Sequence, residues 1–160
     1  MVEEPRLVRT DAQRAAVIRL TIPREEIQAV MGPGISELMA TLGAQREAPV
    51  GPVFAHHLRM DPRVFDFEIG VPVARPVTAA GRVRPGELPG GVVARTVYHG
   101  PYEGLGSAWA ELDAWIAAGG HTAARDLWEC YATGPESGAD PSTWRTELNR
   151  PLTSRHSGST

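Results

Sequence analysis

The sequence predicts an α+β fold made of two similar halves, each running strand, helix, strand, strand. Apolar residues alternate as in strands or recur at helical spacing, and these two patterns follow one another in the same order twice. The two predicted helices also share a short likeness, ELMA at residues 37–40 and ELDA at residues 111–114. This duplication predicts an antiparallel sheet with two helices on one side and a ligand crevice between the repeats.

Length and composition suit one globular domain, because the 160 residues are 42% hydrophobic and 22% charged. We expect this domain to span residues 1–152, with repeat one at about 5–80, a linker at about 81–91 and repeat two at about 92–152. Residues 153–160 are polar and are predicted to form a disordered tail.

The first repeat begins with a strand over residues 13–23, which is rich in β-branched side chains. Residues 23–26 (PREE) suit the first turn of a helix, since proline fits the first helical position and carboxylates fit its positive end. Helical spacing is interrupted by GPG at residues 32–34, resumes at residues 35–42 and is predicted to stop at Gly43.

Two strand-like runs follow, at residues 51–60 and 64–73, and an Asp-Pro turn at residues 61–63 makes them expected hairpin partners. Residues 82–91 are rich in proline and glycine. They are predicted to form a long surface loop between the halves.

The second repeat follows the same plan. We expect a strand at residues 92–99, a helix at 102–118, and strands at 126–133 and 143–152. The helix carries one broad apolar face, formed by Leu105, Ala108, Trp109, Leu112, Trp115 and Ile116.

The composition of the chain excludes several classes of function. All 16 basic residues are arginine, and without lysine the chain has no residue for Schiff-base chemistry, for a pyridoxal phosphate anchor or for a P-loop. The net charge is −3 and the arginines are scattered, which gives no basis for direct nucleic-acid binding. No window is apolar enough for a membrane span, and the acidic start does not resemble a signal peptide, so we expect a cytoplasmic protein that makes no membrane contact.

Cysteine and histidine usage predicts neither an internal disulfide nor a metal site. Cys130 is the single cysteine. His56 and His57 are adjacent on a predicted strand, so their rings point to opposite faces, and no further ligands complete a set. We therefore expect no metal and no cofactor.

Two glutamates on the last two predicted strands are candidates for function. Strand alternation places Glu129 and Tyr131 on the face opposite Trp128 and Cys130. Glu147 shares a face with Asn149, and antiparallel pairing of the two strands is expected to bring Glu129 and Glu147 near each other. Either glutamate could be a solvated strand residue, or a carboxylate at the floor of an aromatic pocket that attracts cations.

Four segments together form a specific pattern: GPVFAHHLRMDPRVFDFEIGVPV (51–73), VYHGPYEGLGSAWAELDAWI (97–116), WECYATGP (128–135) and DPSTWRTELNRPL (140–152). This pattern resembles GyrI-like small-molecule-binding domains, also known as the effector-binding domains of AraC-type and MerR-type multidrug-responsive regulators. The likeness spans roughly residues 7–152.

The resemblance implies that Glu129 is the central anchor for cationic aromatic ligands and that Glu147 lies near it. It also implies that Tyr102 and Phe67 contribute to the pocket wall. Two further positions depart from the family pattern: His57, where relatives often carry tyrosine, and Asn149, where an aromatic residue is common. Both departures make the pocket more polar.

The resemblance leaves three functions open. The first is a stand-alone module that binds small aromatic or cationic molecules, since no helix-turn-helix segment precedes the likeness. The second is a hydrolase that opens the cyclopropane of cyclopropylpyrroloindole compounds, with Glu129 and Glu147 positioning water and protonating the ring, and with Tyr102 and Trp144 as aromatic walls. Strand alternation leaves open whether Trp144 faces this site. The third is a protein-interaction role such as gyrase inhibition, and the sequence identifies no protein partner.

Overall fold

The predicted α+β fold is confirmed by a computed structural model, which describes residues 2–60, 63–133, 140 and 143–153. These residues form eight strands and two helices: β1 Arg6–Thr10, β2 Gln13–Pro23, α1 Ile27–Ala44, β3 Phe54–Met60, β4 Val64–Pro72, β5 Arg84–Leu88, β6 Gly91–His99, α2 Leu105–Ala118, β7 Leu127–Thr133 and β8 Arg145–Pro151. One turn of 3-10 helix precedes each α-helix, at Arg24–Glu26 and Tyr102–Gly104. Residues 61–62 of the predicted turn and 154–160 of the predicted tail lie outside the described residues.

The chain divides into two compact units, and both have the same topology. The first unit contains residues 2–10 and 91–153, and the second contains residues 11–90. Within the first unit the antiparallel strand order is β1-β6-β8-β7, and within the second it is β5-β2-β4-β3. Each unit is therefore a strand-helix-strand-strand repeat with one extra edge strand, as a duplication predicts.

The extra strands were not predicted. Residues 6–10, expected at the start of repeat one, form β1 instead in the first unit, where they pair with β6. The expected loop at residues 82–91 contains β5, which pairs with Gln13–Val17 of β2. Its proline and glycine are compatible with this position. Pro85 lies on an edge strand, which tolerates a missing N–H. Gly86 lies so close to β2 that a Cβ there would be 2.7 Å from Val17 Cγ2, so a residue without a side chain fits.

The first helix continues through the GPG motif, where we expected an interruption. Pro33 lies inside α1, although an interior proline costs a helix about 3 kcal/mol. The apolar residues before and after Pro33 follow one continuous helical spacing, and two of them, Leu38 and Leu42, are fully buried. Gly34 allows the helix to approach β4 closely, because a Cβ there would lie 2.6 Å from Ile69 Cδ1. Packing against the sheet therefore outweighs the local cost of the proline.

In the first unit, α2 covers one face of the sheet. Its buried residues Ala108, Leu112 and Ile116 recur at helical spacing. The cluster that they form also includes Ala94 and Tyr98 of β6 and Leu148 of β8. Among the helices of the described ranges, none is long and apolar enough to cross a membrane.

The pairing of β7 with β8 decides which side chains share this helix-covered face. Glu129 pairs with Leu148, whereas Cys130 pairs with Glu147 and Trp128 with Asn149. Paired residues of an antiparallel ladder point to the same side. Since Leu148 packs in the α2 cluster, Glu129 faces the helix. The register then shifts between Cys130 and Thr133, which places a bulge in β7 directly after this position.

Candidate functional site

The Glu129 carboxylate lies between α2 and the sheet of the first unit. It is 8% exposed. Trp109 Nε1 on α2 donates a hydrogen bond of 2.7 Å to Glu129 Oε2, and the Tyr131 hydroxyl donates one of 2.8 Å to Oε1. Each carboxylate oxygen therefore has one neutral donor.

Two more rings extend this group. The Tyr102 ring meets Tyr131 edge-on at a centroid distance of 5.9 Å and lies 5.1 Å from the ring of Trp144. We call these five residues the Glu129 cluster: Tyr102, Trp109, Glu129, Tyr131 and Trp144. Trp144 precedes β8 and is two residues from Thr146, so it lies on the same face as Leu148 and Glu129.

Burial dominates the electrostatics of the cluster. It raises the pKa of Glu129 above the usual carboxyl range, while the hydrogen bonds from Trp109 and Tyr131 oppose this rise. Burial, followed by the Glu129 charge, raises the pKa of Tyr131 well above its usual value, so this hydroxyl stays protonated and donates. Among the described residues no arginine or histidine forms an ion pair with Glu129. Within the described ranges, the charged carboxylate is thus solvated by two neutral donors, Trp109 and Tyr131.

Antiparallel pairing puts Glu147 opposite Cys130, next to Glu129 along the ladder as expected, but the two glutamates do not share a site. The register offsets them by one position, so the two carboxylates lie on opposite faces of the sheet. Glu147 Oε1 accepts a hydrogen bond of 3.1 Å from Asn149 Nδ2 and lies 3.5 Å from Arg95 Nε. Arg95 Nε also donates to Asn149 Oδ1 at 2.7 Å. Glu147 and Asn149 therefore belong to a paired network on the other face.

Cys130 points toward this network as well. Burial raises the pKa of its thiol to about 12, and the neighbouring Glu147 charge adds to the effect. The thiol is therefore protonated at neutral pH and is a weak nucleophile.

The remaining predicted site residues, His57 and Phe67, lie in the second unit. The His57 ring stacks on Phe67 at 5.2 Å and meets Phe65 edge-on at 4.9 Å, and the Arg24 guanidinium lies 4.5 Å above the Phe65 ring. Burial, then the charge of Arg24, lowers the pKa of His57 to about 4. A role for His57 and Phe67 in ligand binding stays a prediction.

Trp109 is the site residue that sequence reasoning missed, because its place in the apolar stripe of α2 predicted a packing role alone. The available signal was its indole N–H, which needs a hydrogen-bond partner when a tryptophan is buried. Within the part of the chain that the structure describes, no group of three His, Cys, Asp or Glu side chains could hold a metal ion.

Several solved structures share this fold. The C-terminal domain of EcmrR superposes with a TM-score of 0.83 and 18% identity, over 94% of this chain and 97% of that domain. The EcmrR chain in its complex with DNA matches with a TM-score of 0.79 and 19% identity, over 93% of this chain and 57% of the EcmrR chain. This chain therefore spans a little over half of that protein.

Two further structures are similar over nearly their whole length. A hydrolase from Listeria innocua has a TM-score of 0.67 and 14% identity, over 94% of this chain and 92% of the hydrolase. SAV2435, solved bound to tetraphenylphosphonium, has a TM-score of 0.69 and 13% identity, over 94% of both chains. At these identities the likeness shows a shared fold.

The sequence itself assigns the family. No protein of curated function matches it significantly. Residues 3–152, however, match the GyrI-like small molecule binding domain, which confirms the resemblance drawn from the four segments. The chain belongs to the GyrI-like family of small-molecule-binding domains.

Proposed function

We propose that the protein binds small aromatic cations and that Glu129 is their anchor. The observation that carries this proposal is the environment of the Glu129 carboxylate, which is buried and held by two neutral donors, Trp109 and Tyr131. A buried carboxylate without a cationic partner is costly, because two neutral hydrogen bonds replace only part of its hydration. A cationic guest supplies the missing counter-charge.

The rings of the Glu129 cluster supply the other half of the recognition. Trp109 and Tyr131 contact the carboxylate, and the rings of Tyr102 and Trp144 extend this aromatic surface beyond Tyr131. A cation over such a ring gains about 0.5–2 kcal/mol, more as it is desolvated. Flat or multi-ring cations therefore combine charge pairing with apolar burial at one place.

A guest must displace part of the cover to reach Glu129. Tyr102 is the first residue of the short 3-10 turn Tyr102–Gly104, which contains no buried residue. Trp109, by contrast, projects from α2, which is fixed by buried Leu112 and Ile116. We propose that Tyr102 moves on binding, while Trp109 stays in place.

The ligand of SAV2435 supports this choice of chemistry. That protein shares the fold and was solved with tetraphenylphosphonium, a cation surrounded by four phenyl groups. We propose that the present protein accepts guests of this class.

Binding is favoured over hydrolysis. The hydrolytic alternative uses Glu129 and Glu147 on one substrate, and the β7–β8 register places them on opposite faces. The Listeria innocua hydrolase is similar in fold alone. The gyrase-inhibitor alternative stays a prediction, and no described feature favours it.

Calorimetric titration with tetraphenylphosphonium tests the proposal. We expect Glu129→Gln to weaken binding about tenfold, which corresponds to about 1.4 kcal/mol. Glu147→Gln is the matched control on the other face and should bind as the wild type does. Equal affinity of Glu129→Gln and wild type would remove Glu129 from the site.

A further inference from the structure

The side chain of Thr146 is fully buried, with 0% exposure, and its Oγ1 has no hydrogen-bond partner among the described residues. Burying a hydroxyl without a partner costs stability, so native proteins rarely retain one that does nothing.

Thr146 lies on the same face as Glu129. Along β8, Thr146 and Leu148 point the same way, and Leu148 pairs with Glu129. On the β6 side Thr146 pairs with Tyr98, whose hydroxyl already donates to Pro101 O at 2.8 Å. On the β7 side the bulge leaves no described residue in register with Thr146. The Thr146 side chain is thus on the same face as Glu129, diagonal to it across the β7–β8 ladder and next to the bulge in β7.

The second unit shows what fills the equivalent position when no polar group is present. Pairing of Ala55 with Ile69 corresponds to pairing of Glu129 with Leu148, and a register shift follows in both units. Phe67 lies two residues before Ile69, as Thr146 lies two residues before Leu148, so Phe67 is the counterpart of Thr146. Ala55 and Phe67 are both fully buried and apolar. The first unit therefore replaces an alanine by a carboxylate and a phenylalanine by a small hydroxyl side chain.

We propose that the Thr146 hydroxyl is a second polar anchor of the Glu129 site and selects cations that carry N–H donors. This inference depends on the proposed function of Glu129. A threonine hydroxyl can accept an N–H bond through its lone pairs. Protonated amines and N–H-bearing aromatic cations can use both Glu129 and Thr146, whereas fully substituted cations can use only the charge of Glu129.

Two fluorescent dyes test this selectivity. Rhodamine 6G and tetramethylrhodamine ethyl ester share the xanthene body and a single positive charge, but only rhodamine 6G has N–H groups. We expect Thr146→Val, which keeps the shape and removes the hydroxyl, to weaken rhodamine 6G binding about fivefold, the effect of one lost hydrogen bond. Binding of tetramethylrhodamine ethyl ester should stay unchanged, and Thr146→Ser should restore rhodamine 6G affinity.

A thermal melt of the free protein adds an independent readout. Because Thr146→Val removes an unpaired buried hydroxyl, it should raise Tm or leave it unchanged, whereas loss of a structural hydrogen bond would lower Tm.

The outcomes separate the two proposals. If Glu129→Gln weakens both dyes but Thr146→Val affects neither, or affects both equally, the role of Thr146 is wrong and that of Glu129 stands. If Glu129→Gln changes neither dye, or the wild type binds neither, the proposed function fails and the role of Thr146 fails with it.

Discussion

Trp109 on α2 donates a 2.7 Å hydrogen bond to the Glu129 carboxylate on β7. This contact joins the helix that covers the sheet to the single buried carboxylate of the cluster. Glu129 could serve the stability of the fold or the binding of a ligand. These two roles predict opposite changes in Tm when the Glu129 carboxylate is neutralised.

Neutralising Glu129 should stabilise the free protein. Its raised pKa comes chiefly from burial, so the charged form opposes folding. A carboxyl group whose pKa is raised by folding binds its proton more tightly in the folded state. It therefore stabilises the fold at pH values below the usual carboxyl pKa, and this contribution is lost as pH rises through the folded-state pKa. We therefore expect Glu129→Gln to raise Tm by a few degrees at neutral pH, with a smaller difference in acid. A Tm below that of the wild type at neutral pH would indicate a structural carboxylate instead.

Removing the Trp109 donor should destabilise the fold. Trp109→Phe keeps an aromatic ring on α2 but leaves Glu129 Oε2 without its described partner, at a cost of about 1–3 kcal/mol in the free energy of unfolding. Urea denaturation at neutral pH measures this. Trp115→Phe is the matched control on the same helix, because Trp115 stacks near His121 and not on Glu129. Equal losses for the two variants would show that packing, and not the hydrogen bond, is responsible.

Cation binding should release protons. Since burial raises the pKa of Glu129, part of the population is protonated as pH falls toward that value, and a cation favours the charged form. Affinity should therefore rise with pH through the folded-state pKa of Glu129 and then level off. Titration in two buffers of different ionisation enthalpy measures the released protons. Glu129→Gln should abolish this release, and a release that persists in the variant would point to another group.

His57 should make the stability of the second unit depend on pH. Burial and the charge of Arg24 lower its pKa from 6.5 to about 4, so the folded state holds the ring neutral. The unfolded chain binds the proton first as pH falls below 6.5, and up to about 3 kcal/mol of stability is lost by pH 4.

Chemical denaturation between pH 7.5 and 4.5 checks this effect of His57. His57→Phe should flatten the dependence, while His121→Gln in the other unit should leave it unchanged. If the wild type and His57→Phe follow the same pH curve, His57 is not the group responsible.

Local patterns predicted most of the fold. β-branched content located β2 with its observed bounds, and helical spacing located the buried face of α2. The edge strands β1 and β5 were missed because each is short and depends on long-range pairing rather than on its own propensity. Pro85 and Gly86 indicate a loop by composition, yet both are compatible with an edge position beside β2.

The candidate site could be predicted only in part. Alternation along β7 correctly placed Glu129 and Tyr131 on one face. Whether Glu147 shares that face depends on the register of β8 against β7, and a shift of one residue reverses the answer. The register is determined by the packing of Leu148 under α2, which a single strand sequence does not report. Trp144, just before β8, reaches the Glu129 cluster through its ring contact with Tyr102.

The position of a bound cation tests the central claim most directly. Tetraphenylarsonium has the shape and charge of tetraphenylphosphonium, and its arsenic atom can be located by anomalous scattering in a crystal of the complex. We expect one arsenic peak about 4–6 Å from the Glu129 carboxylate, with the Tyr102 ring displaced and Trp109 in place. A cation bound elsewhere, with Glu129 still held by Trp109 and Tyr131 beneath an unmoved Tyr102, would contradict the assignment of Glu129 as the anchor.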